Sequence, residues 1–225
     1  MPWLIRFAKS SIGAKVVMAI SGGAILLFVL VHMAGNLQIY MGQDAYNAYA
    51  YFLKSKPALV WTARLGLLVM VSLHVASGLR LALLNRAARP QAYAVRRYTR
   101  ATWSSRSMAI SGLCVLSFIV YHLLHFTLGV TDPANYHLVD SAGRHDVFTM
   151  FVRGFQQPAV AISYMVAMVL LGLHLEHGAS SMFQTLGLNH ARYNRVIGKI
   201  GPALATLIVL GNVSMPAAVL LGIIH

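Results

Sequence analysis

The chain has 225 residues, 58% of them hydrophobic and 10% charged, with 18 Lys and Arg against 5 Asp and Glu. So few charges cannot clothe a water-soluble surface, and the length accommodates one membrane domain spanning 1–225. The formal net charge of +13 suggests nucleic acid at first, but the placement of the charges along the chain argues against that reading.

Residues 1–15 read as an interfacial lead-in, with Trp3 and Phe7 at headgroup level. The first apolar run covers about 16–36. It begins too late and runs too long for a signal-peptide core, so it is expected to be retained. The connection 37–59 carries Tyr40, Tyr46, Tyr49, Tyr51 and Phe52, the make-up of a short helix lying at the interface. Pro57 separates it from the second run, about 60–84. A basic connection follows, 85–106, with Pro90 as a breaker, and then the third run, about 107–130. Asp132-Pro133 and Gly143 are turn signals in 131–156. The fourth run, about 157–180, has Pro158 near its start. The connection 181–200 holds Gly187, Asn189 and Gly198. The fifth run, about 201–224, has Pro202 near its start and Pro216 inside it, where a kink is expected. Each run is long enough to span a bilayer core as a helix. The single cysteine, Cys114, rules out an internal disulfide, CxxCH haem attachment and any Cys-based zinc or iron–sulfur centre. A cofactor in this chain is therefore held non-covalently.

With five spans, the basic residues sort by side. Arg6, Lys9, Lys15, Arg80, Arg86, Arg89, Arg96, Arg97, Arg100, Arg106, Arg192, Arg195 and Lys199 fall on the side of the N-terminus; Lys54, Lys56, Arg64, Arg144 and Arg153 fall on the other. The positive-inside rule then predicts N-in, C-out.

The pattern MAISGxxxLxFxxxH occurs twice, 90 residues apart: Met18 to His32 in the first run and Met108 to His122 in the third. The second and fourth runs share HxxxG, as His74 with Gly78 and His174 with Gly178. Runs one and three go outward, which puts His32 and His122 in the outer half; runs two and four return, which puts His74 and His174 in the inner half. The two levels differ by roughly 10–15 Å at 1.5 Å per residue. Phe28 and Phe118 stand one turn before their histidines on the same face, where a ring can pack on a porphyrin. Ser21 and Ser111 stand three turns before, at nearly the same azimuth, as partners for a haem propionate or for the helix backbone. Gly78 and Gly178 leave room for a flat macrocycle, or are simply small packing residues.

Polar groups inside hydrocarbon are costly and seldom idle. Two neutral imidazoles at each level saturate the axial positions of one iron, so the expected cofactors are two haem b groups engaged in electron transfer. The predicted ligands are His32 and His122 for the outer haem and His74 and His174 for the inner. Zinc suits the pattern less, with two ligands per level and no carboxylate beside them. His125 and His177 each follow a predicted ligand by three residues and are read as supporting partners or alternative ligands. A proton-coupled transporter using intramembrane histidines, without haem, is a competing reading that the scarcity of acids within the spans disfavours.

Three segments carry a resemblance: His32-Met-Ala-Gly-Asn-Leu37, Phe118-Ile-Val-Tyr-His122-Leu123, and His174-Leu-Glu-His-Gly178 with Ser181-Met-Phe-Gln-Thr-Leu-Gly187. Together they resemble the di-haem cytochrome b membrane anchor of succinate dehydrogenase and fumarate reductase, the succinate:quinone oxidoreductases, in the five-helix b558-type class. The resemblance implies a four-helix haem-binding bundle with a fifth peripheral helix. It implies axial histidines on helices one to four, pairing first with third and second with fourth. It also implies a flavoprotein and an iron–sulfur subunit on the cytoplasmic face, a quinone substrate (usually menaquinone), and a bacterial cytoplasmic membrane. A di-haem cytochrome b serving a hydrogenase or formate dehydrogenase is the alternative within this chemistry. A glutamate that serves a transmembrane proton route in one family member precedes the fourth ligand; here Glu176 follows His174 by two residues, on another face, and that role does not carry over.

Candidates for propionate or subunit contacts are Lys15, Arg80, Arg106 and Lys199 on the inner side and Arg64 and Arg153 on the outer, all of which also fit snorkelling charges. Asn36 and Asp44, near the outer haem, are candidates for a quinone site.

Overall fold

The computed structural model describes residues 2–88 and 102–225. The expected breaker Pro90 and the basic residues Arg89, Arg96, Arg97 and Arg100 lie outside them. Among the described residues the elements are helical: α1 (Pro2–Lys9), α2 (Ser11–Asn36), α3 (Gln43–Lys54), α4 (Pro57–Ala87), α5 (Trp103–His122), α6 (Pro133–Tyr136), α7 (Val147–Phe155), α8 (Pro158–Thr185) and α9 (Asn194–Leu220). A 3-10 turn, Leu37–Met41, prolongs α2, and a π-helical turn, Leu123–Thr127, prolongs α5. Five helices are long and apolar enough to cross a membrane: α2 with its turn, α4, α5 with its turn, α8 and α9.

Local chemistry explains where they start. The Ser10 hydroxyl accepts from the Gly13 N–H at 2.9 Å, and the Thr102 hydroxyl accepts from Ser105 at 3.1 Å, which satisfies one orphan donor at each N-terminus. Pro57 and Pro158 open α4 and α8, where a missing N–H breaks no bond. The fifth helix departs from expectation. It begins at Asn194, so Pro202 lies inside it beside Pro216, and the connection before it shrinks to 186–193. Prolines are tolerated within membrane helices because neighbouring helices satisfy the freed carbonyls.

In the bundle α2 packs along α4, α5 along α8, and α2 along α8, whereas α4 and α5 scarcely meet. The fifth helix, α9, lies outside this square against α8 and α2. Small residues permit the approach, as is usual in membranes. A Cβ at Gly172 would collide with Val209, and one at Gly201 with the Glu176 carbonyl and the Ser180 side chain. Among the five spans, α4 and α5 bury the least of their most apolar windows, 11% and 6%. Such faces are tolerable in lipid and not in water.

At the end where α2 and α5 finish, α3, α6 and α7 form a cap. Its centre is Asn47, fully buried, which donates to Asp146 at 2.9 Å and Asp140 at 3.1 Å and accepts from the Phe148 N–H at 3.0 Å. Gln43 also donates to Asp146, at 2.9 Å, and Arg144 bridges Asp140 at 2.8 Å and Asp44 at 2.7 Å. Among the described residues the opposite end carries Lys15, Arg86, Arg106, Arg192 and Arg195, at or beside the starts of α2, α5 and α9 and the end of α4.

Candidate functional site: two histidine pairs across the bundle

The four histidines stand on the diagonals of the square. His32 of α2 meets His122 of α5 with ring centroids 5.8 Å apart and planes at 82°. His74 of α4 meets His174 of α8 at 6.2 Å and 68°. Counted from the basic end, His32 and His122 lie 21 and 19 residues into spans starting at Ser11 and Trp103. From the same end, His74 and His174 lie 13 and 11 residues before the terminal residues Ala87 and Thr185. The eight-residue offset between the pairs corresponds to roughly 12 Å.

Neither pair is hydrogen-bonded internally, yet both hold their rings at a defined spacing. An imidazole nitrogen sits about 2 Å from a metal ion, and a ring centroid lies roughly 1 Å behind that nitrogen. Two imidazoles on opposite sides of one ion therefore have centroids about 6 Å apart, as both pairs do. Among the described residues no three His, Cys, Asp or Glu side chains converge. Any metal between either pair would take its remaining ligands from outside these side chains, as a porphyrin would supply them. The residues present fit a bis-histidine haem at each level.

The supports of the two pairs differ. At the 74/174 level the Nδ1 atoms are engaged. His74 Nδ1–H donates to the Met18 carbonyl at 3.1 Å. Ser111 Oγ lies 3.2 Å from His174 Nδ1 and 3.3 Å from the Met108 carbonyl. A hydroxyl has one proton; if it goes to the carbonyl, Ser111 accepts from His174 Nδ1–H. Both rings then offer an unprotonated Nε2 to a metal, the arrangement by which an outer partner fixes tautomer and orientation.

The repeat supplies these contacts. Gly22 and Gly112, equivalent within it, face the two rings: a Cβ at Gly22 would lie 3.0 Å from His74 Cε1, and one at Gly112 3.3 Å from His174 Cε1. Met18 and Met108 lie beside Gly78 and Gly178, each 4.0 Å from where a Cβ would be. The opening Met-Ala-Ile-Ser-Gly of each copy thus cradles the histidine of the next span, while its closing histidine belongs to the other level. Sequence reasoning missed this division of labour. Its signal was present in the identity of the motif so far upstream of its own histidine.

At the 32/122 level, packing takes over. Phe28 stacks on His32 at 5.2 Å and 17°, and Phe118 tilts over His122 at 5.9 Å and 30°. The phenyl rings lie against the imidazoles themselves. His122 Nδ1 is buried without a hydrogen-bond partner. Above His32, Asn36 Nδ2 donates to the His32 carbonyl at 2.9 Å and Asn36 Oδ1 accepts from Tyr46 at 2.7 Å, which ties the end of α2 to the cap. Burial, with the neighbouring Tyr49, holds the Tyr46 phenol well above its ordinary pKa, so it stays a donor.

The other candidates are placed as follows. The Ser21 hydroxyl bonds the Val17 carbonyl at 2.6 Å and so serves its own helix, while Ser111 reaches His174. His125 is buried and shares a 3.0 Å hydrogen bond with Tyr164; His177 is half-buried on α8 beside Glu176. Asn36 is engaged at both ends of its amide, and Asp44 is exposed and paired with Arg144. Arg64 and Arg106 lie over Trp61 and Trp103 at 5.3 and 5.5 Å. Arg153 donates to Asn135 at 3.3 Å. Lys15 and Lys199 are exposed and Arg80 is half-buried.

The fold and the site together define an all-helical, multi-pass membrane protein with paired histidines across its bundle. Models of known families, curated proteins and solved structures yield no match to this chain.

Proposed function

We propose that the chain is the membrane-anchor cytochrome b of a succinate:quinone oxidoreductase. The observation that carries this reading is the pair of diagonal histidine couples with centroids 5.8 and 6.2 Å apart, on two levels of one bundle. His32 and His122 would hold one haem b and His74 and His174 the other. A haem with both axial positions filled by imidazole exchanges single electrons and does not readily bind oxygen. The chain's own work is ligation, orientation and burial: Met18 and Ser111 set the rings at one level, Phe28 and Phe118 at the other, and the cap covers the second level. The three segments resembling the five-helix anchors support a flavoprotein and an iron–sulfur subunit as partners on a cytoplasmic, N-terminal side. They also support menaquinone as the quinone and a bacterial cytoplasmic membrane as the location. The clustering of basic residues on the side of the N-terminus supports the N-in orientation.

The test is a reduced-minus-oxidised spectrum and a haem count on the purified protein, with identification of the subunits that accompany it. Two b-type haems per chain and a partner carrying flavin are expected. A colourless protein removes the haem reading and leaves the transporter; a nickel or molybdenum partner moves the assignment to a hydrogenase or formate dehydrogenase.

A further inference from the structure

The second copy of the repeat differs from the first in one respect that bears on ligation. Three residues after His32 stands Gly35, whereas three residues after His122 stands a second histidine, His125. On a regular α-helix the two imidazoles would project from neighbouring positions on one side, and both would be available to a metal facing His32.

The structure separates them. The α-helix ends at His122, and a π-helical turn, Leu123–Thr127, follows, closed by Leu128 N–H donating to the Leu123 carbonyl at 2.9 Å. The wider turn carries His125 round, away from the azimuth of His122, and such turns recur at functional sites. His125 is 4% exposed and stacks on Phe126 at 4.0 Å. Its Nδ1 shares the 3.0 Å hydrogen bond with Tyr164 Oη, from α8, and Tyr164 is itself 6% exposed. On its other side α7 presents Gly154, where a Cβ would lie 3.2 Å from His125 Nε2, so only glycine admits the ring without a shift. His122 reaches His32 with centroids 5.8 Å apart, and no such ring contact joins His125 to His32 among the described residues.

We propose that Tyr164 is a positioning residue whose hydrogen bond holds His125 out of the site, so that His122 alone serves opposite His32. This rests on the haem reading above. The π-turn sets the direction of His125, Gly154 makes room for it, and Tyr164 gives its buried Nδ1 a partner that fixes the ring with Nε2 toward Gly154 of α7. Without that partner the nitrogen is left unsatisfied in an apolar surround, and ligation becomes its favoured outlet.

The experiment compares the full chain, purified with its partners, as wild type, Tyr164→Phe, Tyr164→Phe with His125→Ala, and His122→Ala. It reads haem per chain and low-temperature electron paramagnetic resonance of the oxidised haems, whose signals depend on the angle between the axial imidazole planes. Tyr164→Phe is expected to keep two haems and to add a new low-spin component at one level. Removing His125 in that background is expected to abolish the new component. His122→Ala, with Tyr164 intact, is expected to keep one haem only. A Tyr164→Phe spectrum identical to wild type overturns the proposal. So does a new component that survives loss of His125, which is what loosened packing alone would produce. Retention of two bis-histidine haems in His122→Ala overturns it even if Tyr164→Phe does not fold. A wild-type chain lacking haem is a different result, and it removes the parent reading along with this one.

Discussion

Ser111 Oγ and His174 Nδ1 lie 3.2 Å apart on adjacent spans, and at the equivalent place in the other half of the molecule the Met18 carbonyl receives His74 Nδ1 at 3.1 Å. One repeated pentapeptide therefore orients both histidines of one level, through a side chain in one copy and through the backbone in the other.

That difference is testable. Ser111→Ala removes the partner of His174, whereas Ser21→Ala leaves the Met18 carbonyl in place for His74. Loss of an outer hydrogen bond to a metal-bound histidine lowers metal affinity by about 10- to 100-fold. Ser111→Ala is expected to show haem loss of that order on titration with a competing haem acceptor, and Ser21→Ala much less. Equal behaviour of the two variants would refute the assignment.

The glycines separate packing from cofactor. Gly22→Ala brings a Cβ to 3.0 Å from His74, so the ring has to move; a reduced haem content and an altered spectrum are expected. At Gly78 and Gly178 the nearest protein atom to a new Cβ is 4.0 Å away, so the protein by itself tolerates Ala, which also favours a helix by about 1 kcal/mol. Loss of haem from Gly78→Leu in a protein that keeps its helicity by circular dichroism would show a macrocycle occupying that space. Full retention of both haems speaks for simple small-residue packing.

Single replacement of His32, His74, His122 or His174 by Ala is expected to leave one haem per chain by pyridine haemochromogen assay. His177→Ala is expected to leave two. A His177 variant with one haem would move the fourth ligand one turn along α8.

The cap should respond to acid. Burial alone raises the Asp146 carboxyl, but hydrogen bonds from Asn47, Thr149 and Gln43 outweigh it and hold its pKa below the ordinary value. Burial likewise opposes, and the Arg144 and Asn47 hydrogen bonds prevail, at Asp140. Depressed carboxyl pKa values contribute stability that is complete above the unfolded value, about 3.9, and is lost as pH falls through the folded values below it. Hydrogen exchange of α7 should therefore be insensitive to this effect at neutral pH and lose protection in strong acid, and Asp146→Asn should weaken protection at neutral pH while flattening the acid loss. An acid response unchanged in Asp146→Asn rejects the mechanism.

Asn47→Ala leaves the Phe148 N–H without its partner and removes one hydrogen bond each from Asp140 and Asp146, which keep those from Arg144 and Thr149. A loss of about 2 kcal/mol in cap stability is expected, read as faster exchange in 131–156. No change would mean that the knot around Asn47 contributes nothing to closing this end of the bundle.

Sequence periodicity and run length were enough to locate the five spans to within a turn or two in most cases, because lipid allows little besides apolar helices. They failed at the start of the fifth helix, where Pro202 looked like an opening residue; whether a proline opens or interrupts a membrane helix depends on neighbours that satisfy the freed carbonyl. The repeat and the alternation of direction likewise picked out His32 with His122 and His74 with His174, since depth follows from a fixed rise per residue. Position along a helix says nothing about which helix stands across from it. That α2 faces α5 and α4 faces α8, that Ser111 supports the histidine of the adjoining span, and that Tyr164 ties His125 aside were decided only when the bundle closed, because each depends on an azimuth set by small-residue packing between helices far apart in the chain.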